Sequence, residues 1–264
     1  MIAGFAYGTH SADGVEVAYC TGGSGPPLLL LHGFPQTHMM WAQIAPKLAQ
    51  NFTVICADLR GYGASGKPNG TENYSFRAMG QDQLSLMSAL GFTRFHLAGH
   101  DRGGRVAHRI ALDAPQRITS LTVMDIVPTH HLLDELHQSV AKAYYHWFFL
   151  AQPAPFPETL IAADPDYFYQ SCLLGWGAAK LEQFPANQLQ AYRLAWPQAG
   201  QINLSASIFS APWNAWHWSR LSKANKPVTE LLPKHWITSD RFARRPSWSM
   251  MHGFSMPTAA LYPI

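Results

Sequence analysis

The sequence predicts an α/β fold, a mostly parallel sheet with helices on both faces that carries an inserted helical lid. Three observations carry this. Short apolar runs at Pro27–Leu31, Val54–Ala57, Phe95–Ala98 and Leu121–Met124 have the length and continuity of strands buried on both faces. Helix-length patterns at about 38–49, 75–90 and 103–114 fall between those runs, which implies parallel strands joined by helical crossovers. The segment Gly99-His100-Asp101-Arg102-Gly103 joins the third run to the following helix as a sharp strand-to-helix turn.

Taken in order, Val15–Tyr19 alternates apolar and polar residues, as a half-buried strand does, and precedes the first inner run. Gly91 is a suitable stop for the helix predicted over 75–90. Residues 130–196 change character, being helical, aromatic and interrupted by Gln152-Pro153-Ala154-Pro155-Phe156-Pro157. The expected organisation is a core over 1–129, a helical lid over 130–196 and a divergent tail over 197–264.

Composition narrows the class. Of 264 residues, 47% are apolar and only 13% charged, against an ordinary charged share of about 25%, which excludes a disordered chain, a coiled coil and a collagen-like fibre. No apolar run approaches the roughly 18 residues of a membrane span, and no basic-then-apolar leader opens the chain, so a cytoplasmic protein is expected. Cys20, Cys56 and Cys172 are widely spaced and odd in number, and read as reduced thiols with neither a disulfide framework nor zinc spacing. The net charge of +3 is uneven: residues 1–196 hold 12 basic and 14 acidic residues, whereas 197–264 hold 7 basic residues against Glu230 and Asp240. Five of the nine tryptophans also lie in that tail. Nucleic-acid binding would rest on this stretch alone, and is not expected.

The turn at 99–103 carries the chemistry. Small residues flank its central position because the backbone doubles back there, lifting the central side chain above the sheet. That residue is Asp101. A carboxylate attacking a carbonyl gives a labile anhydride, whereas attack on saturated carbon gives an ester that water can cleave. An aspartate here therefore points to displacement at sp³ carbon; the alternative is an aspartate that caps the next helix. Arg102 and Arg105 follow in the first helical turn, where cations oppose the helix dipole at a cost of a few tenths of a kcal/mol each. They suggest an anionic ligand held by forked guanidinium groups, the alternatives being an ion pair with Asp101 or a solvated face continuing through Arg109.

Three further pieces fit the same site. His32-Gly33-Phe34-Pro35 follows an inner strand, where a backbone N–H for an oxyanion is expected. Asp125 ends the run Leu121–Met124 and could orient a catalytic histidine, or serve as a strand-end turn residue. His146 and Trp147 lie in a lid helix and offer N–H donors suited to a departing halide, or form an aromatic core pair. Gly61-Tyr62-Gly63-Ala64-Ser65-Gly66 matches a dinucleotide-binding spacing but runs into Lys67-Pro68 without opening a helix, so that function is rejected. Lys67 also stands where a serine turn centred on Ser65 would need its second glycine. Thirteen histidines, among them His130, His131 and His137, lack the companions and spacing of a metal site.

These residues together resemble fluoroacetate (haloacetate) dehalogenases of the α/β-hydrolase fold. The matching stretches are HGFPQTHMMW at 32–41, ADLRGYGASGKP at 57–68, AGHDRGGR at 98–105, MDIVPT at 124–129 and YHWFFLAQPAPFPE at 145–158. The likeness covers about residues 10–196. It is weaker for epoxide hydrolases and haloalkane dehalogenases, which usually place Trp after the nucleophilic Asp. The resemblance implies Asp101 as nucleophile, Asp125 as the acid orienting a histidine, Arg102 and Arg105 on the substrate carboxylate, His146 and Trp147 on the leaving halide, and Phe34 in the oxyanion region. It implies no metal or organic cofactor. The implied partners are a small haloacid substrate and a second copy of the chain in a homodimer, with no nucleic acid and no membrane.

Beyond about Trp196 the family would continue with a halide-contacting lid tyrosine, two strands and a Gly-His-aromatic-Leu-Pro-Glu-Glu-like segment carrying the general base. None of these occurs, and residues 197–264 contain no clear buried-strand run. His217, His235 and His252 lack that setting, so the base histidine is not identifiable. The tail reads as out of frame relative to the ancestral gene. A chain without that base is expected to turn over once at best and keep Asp101 alkylated. Two other functions compete: an epoxide hydrolase using an acid among Tyr144, Tyr145, Tyr167, Tyr169 and Tyr192, against which Arg102 argues, and an inactive hydrolase fold that binds a small carboxylate.

Overall fold

The computed structural model describes residues 1–126, 137–175 and 180–197, together with the backbone of 260–262. Among the described residues seven strands form one sheet: β1 Ala6–Ala12, β2 Val15–Gly22, β3 Pro27–Leu31, β4 Thr53–Ala57, β5 Phe95–His100, β6 Ile118–Met124 and β7 Ala260–Tyr262. Their order across the sheet is β1-β2-β4-β3-β5-β6-β7. β3 pairs parallel with β4 and β5, and β5 pairs parallel with β6. The pairings β1–β2, β2–β4 and β6–β7 are antiparallel. β2 and β7 therefore run against the other five strands.

The inner strands form because they are apolar on both faces. Leu29, Leu31, Val54, Ile55, Cys56 and Phe95 are fully buried, and at about 25 cal/mol per Å² of apolar area they are the centre of the core. β1 alternates exposed and partly buried positions and carries Thr9, His10 and Ser11, so its sequence gives no run to find. It exists because its backbone completes the edge of β2 through a seven-residue register.

Helices α2 (Phe76–Ala89) and α3 (Arg102–Asp113) match the predicted positions. Ser75 caps α2 by accepting from the Ala78 N–H. The predicted helix over 38–49 is instead a 3₁₀ turn at His38–Trp41, capped by Thr37, and a short α1 at Ala45–Leu48 that starts around Pro46. The proline cannot donate an amide into a continuous helix, so the segment restarts there. The lid comprises α4 Gln138–Ala143, α5 Tyr145–Leu150, α6 Phe156–Ala163, α7 Pro165–Leu174 and α8 Ala186–Ala195. It is tied to the core by the Trp196 indole N–H, which donates to the Pro35 carbonyl at 2.8 Å.

Residues 61–66 form a loop, with the Gly61 amide bonded to the Gly66 carbonyl, and Ser65 is committed to structure: its hydroxyl donates to the Asp58 carbonyl and accepts from the Ala18 amide. Most of the tail lies outside the described residues, and with it His217, His235 and His252. His130 and His131 lie outside them too. The tail does contribute a strand that its sequence did not announce: β7, only three residues long, pairs with β6 through backbone bonds that need no apolar run. Among the described residues no helix is long and apolar enough to cross a membrane.

Candidate active site

The site forms where the chain order reverses, at the carboxyl ends of β3, β5 and β6, the usual crevice of an open α/β sheet. Three chain segments converge there. The β5–α3 turn is too tight for side chains at its flanks: a Cβ on Gly99 would lie 2.3 Å from the Gly103 carbonyl oxygen, and one on Gly103 would lie 2.5 Å from the Leu31 and His32 carbonyl oxygens. Between them Asp101 has φ 46° and ψ −115°, a conformation costing about 1–3 kcal/mol in a non-glycine residue. The turn is held open by the Asp101 amide, which donates to the Met124 carbonyl at 3.0 Å, and by the Arg105 amide on the Asp101 carbonyl at 3.0 Å.

Asp101 occupies the cap position of α3, but its side chain makes no capping bond. Its Oδ2 instead accepts the Phe34 amide at 2.9 Å across the sheet. The loop carrying that amide is fixed from behind. Buried His32 donates from Nδ1 to the Gly33 carbonyl at 2.9 Å and accepts the Leu59 amide on Nε2 at 3.1 Å, which sets its tautomer. Burial lowers the His32 pKa and keeps the ring neutral. Asp58 accepts the His38 amide at 2.7 Å and the His38 Nδ1 at 2.9 Å. Burial pushes the Asp58 carboxyl up, but the charge and donors of His38 outweigh it and leave it below its ordinary value. Motif reading missed this support, although its residues sit in the quoted stretches.

Arg102 and Arg105 are 3% and 6% exposed, which removes the solvated-face alternative. Arg102 lies over the Phe76 ring at 5.5 Å, and Arg105 over Trp147 at 4.9 Å. Burial lowers the Arg105 pKa, while the Asp101 charge acts in the opposite sense. His146 and Trp147 are both buried; His146 stacks on Phe34 at 5.8 Å and 13°. They thus satisfy the aromatic-core reading, while His146 feels the Asp101 charge and Trp147 lies under Arg105. Burial brings the His146 pKa down to about 3, against the pull of Asp101, so the ring is a neutral donor at ordinary pH.

His146 makes an expectation for stability. Unfolded, the ring takes a proton near its ordinary 6.5; folded, it resists until about 3. As pH falls through that window the unfolded chain binds more protons, so stability falls by up to about 1.4 kcal/mol per pH unit. His32 acts in the same direction. His38, whose pKa is raised because Asp58 outweighs burial, acts oppositely and loses its contribution as pH rises. The expected result is a melting temperature that drops from pH 6.5 towards pH 4 more steeply in the parent than in His146→Phe. Equal slopes would refute it.

Asp125 ends β6 at φ 55°, with a half-exposed side chain. Among the described residues its imidazole partner is His100, with Nε2 3.7 Å from Asp125 Oδ2. The sequence did not single out His100, because a histidine at the end of an inner strand reads as packing. Among the lid tyrosines, Tyr144 has a hydroxyl that feels Arg105, Asp101 and Asp125, and burial raises its pKa. The Tyr192 hydroxyl is bonded to Gln188, Tyr145 contacts Cys172, and Tyr167 is 73% exposed. Among the described residues no group of three or more His, Cys, Asp or Glu side chains could hold a metal ion.

With this geometry in place, a family model of the alpha/beta hydrolase fold matches residues 26–229. The chain belongs to the α/β-hydrolase family. Fluoroacetate dehalogenase of a Burkholderia species is 53% identical over 214 residues, covering 80% of this chain and 70% of that protein. The soluble epoxide hydrolase of Corynebacterium sp. (strain C12) is 36% identical over 162 residues, 61% of this chain and 56% of that enzyme. The solved structure of an α/β hydrolase from Nostoc sp. PCC 7120 superposes with a TM-score of 0.78 at 46% identity, covering 80% of this chain and 73% of that one. This α/β hydrolase is an enzyme by resemblance to the Burkholderia dehalogenase, and its family match continues past Trp196.

Proposed function

We propose that this α/β hydrolase cleaves the carbon–halogen bond of short haloacids such as fluoroacetate and chloroacetate. The observation that carries the reading is Asp101, strained at the turn with two buried arginines and the buried His146–Trp147 pair around it. The Phe34 amide occupies Oδ2, which leaves Oδ1 to attack the α-carbon. The new C–O bond forms as the carbon–halogen bond breaks, and the halide departs with the bonding pair. Arg102 and Arg105 hold the substrate carboxylate, and the N–H groups of His146 and Trp147 receive the halide. Neutral donors in a dry pocket suit this, because they stabilise developing charge without reorganising water.

The second step is hydrolysis of the glycolyl ester on Asp101. A base takes a proton from water, hydroxide adds to the Asp101 carboxyl carbon, and the Phe34 amide stabilises the oxyanion. Collapse breaks the ester bond, and glycolate leaves with a proton. We assign the base to His100, backed by Asp125. A methyl group on Gly33 would lie 2.9 Å from His100 Nδ1 and 3.0 Å from Asp101 Oδ2, so both atoms face the same space beside Gly33. The His100–Asp125 separation of 3.7 Å is too long for a hydrogen bond, so this step is the slow one.

Halide release should therefore show a burst stoichiometric with protein, followed by a slow phase. His100→Gln should leave the burst intact and slow ester hydrolysis about 10²-fold, at the low end of general-base effects, with partial rescue by added imidazole. Sustained turnover with no burst would overturn the order of steps; an unchanged slow phase would remove His100 from the second. The Burkholderia dehalogenase supports this reading, and the Corynebacterium epoxide hydrolase together with Tyr144 supports a second, ring opening of an epoxide by the same aspartate. Resequencing the coding DNA around codon 196 checks the frame of the tail: a frame that restores a GH-x-LPEE-like end is the expected result.

A further inference from the structure

Cys20 and Cys56 lie on neighbouring antiparallel strands directly opposite one another, in a row that runs Tyr7, Cys20, Cys56, Leu30 across β1, β2, β4 and β3. Nothing in the active site uses them. Both are fully buried and both are free thiols. The Asp58 amide donates to the Ala18 carbonyl at 2.9 Å, and the Cys20–Cys56 pair stands two residues further along the same ladder. It is therefore also a hydrogen-bonded pair, with Cα atoms about 5.5 Å apart. Disulfides span Cα separations of about 4.4–6.8 Å, so the two strands stand at bridging distance, and a closure of about 1 Å between the Cβ atoms brings the sulfurs together.

We propose that Cys20 and Cys56 are an oxidative modification site, converted by a peroxide into an intramolecular disulfide between β2 and β4. The electrostatics give the two sulfurs different roles. The hydrogen bond from Cys56 lowers the Cys20 pKa, burial opposes it, and the His38 charge adds to the lowering. The same bond raises the Cys56 pKa, and burial reinforces it. Asp58 faces the pair with a charge that disfavours both thiolates, and the Tyr7 hydroxyl hydrogen-bonds Cys20. Cys20 is thus the attacking thiolate. It breaks the O–O bond of hydrogen peroxide, forming a sulfenic acid and releasing hydroxide, which takes up the thiol proton as water. Cys56 then attacks that sulfur, forms the S–S bond and expels a second water. Two thiol hydrogens and two electrons pass to the peroxide. Peroxide reaches the buried pair when the edge strand β1 opens, since Tyr7, paired opposite Cys20, is 39% exposed. Cys172 is held away from this chemistry, buried beside Tyr145 with its pKa raised to about 12.

The test treats the full-length protein with hydrogen peroxide under native conditions, then alkylates it in denaturant and measures intact mass and peptide maps. The expected result is loss of two hydrogens, one alkylatable cysteine (Cys172), a linked Cys20–Cys56 peptide, and reversal by dithiothreitol. Cys20→Ser and Cys56→Ser should each abolish the bridge, and Cys56→Ser should leave a sulfenic acid on Cys20 that dimedone traps. Three alkylatable cysteines after peroxide has oxidised exposed methionine, or a bridge that involves Cys172, would overturn the proposal.

Discussion

Asp101→Asn should abolish halide release from fluoroacetate and chloroacetate, by at least about 10⁴-fold, the scale on which removing a nucleophile acts. Fold loss does not account for such a result. Asparagine is among the residues that tolerate positive φ, so it can hold the 46° conformation, and its carbonyl oxygen can still accept the Phe34 amide. What it lacks is the second anionic oxygen. The parent protein, quenched after exposure to substrate, should carry one carboxymethyl group on the peptide containing Asp101. After a single turnover in heavy-oxygen water, the label should reside in Asp101 and not in glycolate, because hydroxide adds to the enzyme's own carboxyl carbon. Halide release at the parent rate by the variant, or a carboxymethyl group on Asp125 instead, would refute the assignment of nucleophile.

The sequence made this residue legible because its signal is local. Two glycines two residues to either side of an aspartate, between an apolar run and a helix, describe a turn whose steric limits are the contacts of Gly99 and Gly103. Phe34 and Asp125 were legible for the same reason, since each sits where an inner strand ends. Arg102 and Arg105 stood out as charges placed against a helix dipole, which is an energetic oddity visible in one dimension.

What the sequence did not reveal depends on register and neighbours. β1 is partly solvated and polar, so its pairing with β2 is a backbone fact that no apolar periodicity records. Tyr144 is one of five lid tyrosines, and only the packing of α4 and α5 separates it from Tyr167, which faces water. His100 precedes Asp101 at the end of β5, and its relation to Asp125 follows from the β5–β6 register, which sets His100 against Met124. Cys20 and Cys56 are far apart in sequence and read as inert thiols until the β2–β4 ladder puts them opposite one another.

Arg105→Met separates the two enzyme readings, because they differ in the charge of the substrate. Methionine keeps the length and apolar bulk of the arginine stem, so packing in the pocket is largely retained. The variant loses the contact over Trp147 at 4.9 Å, worth about 2 kcal/mol for a desolvated pair, and is relieved of the cost of burying the guanidinium, so the two effects on the free protein oppose each other. Substrate binding loses more. A haloacetate carboxylate brought beside residue 105, where the arginine is 6% exposed, has little water to replace the missing guanidinium, and leaving a buried charge unpaired costs about 2–5 kcal/mol. Chloroacetate should therefore alkylate Asp101 about 10²–10³-fold less efficiently in kcat/KM, mostly through KM. An epoxide such as styrene oxide carries no carboxylate and needs only the nucleophile and an acid on the opening ring. If the protein were an epoxide hydrolase, the parent would open styrene oxide, Arg105→Met would leave that rate near the parent value, and Tyr144→Phe would reduce it. The haloacid reading requires the reverse pattern: no styrene oxide turnover in the parent, a large loss with Arg105→Met on chloroacetate, and a small effect of Tyr144→Phe. Equal activity of Arg105→Met and parent on chloroacetate would show that the buried cation does not hold the substrate, and would end that reading of the pocket.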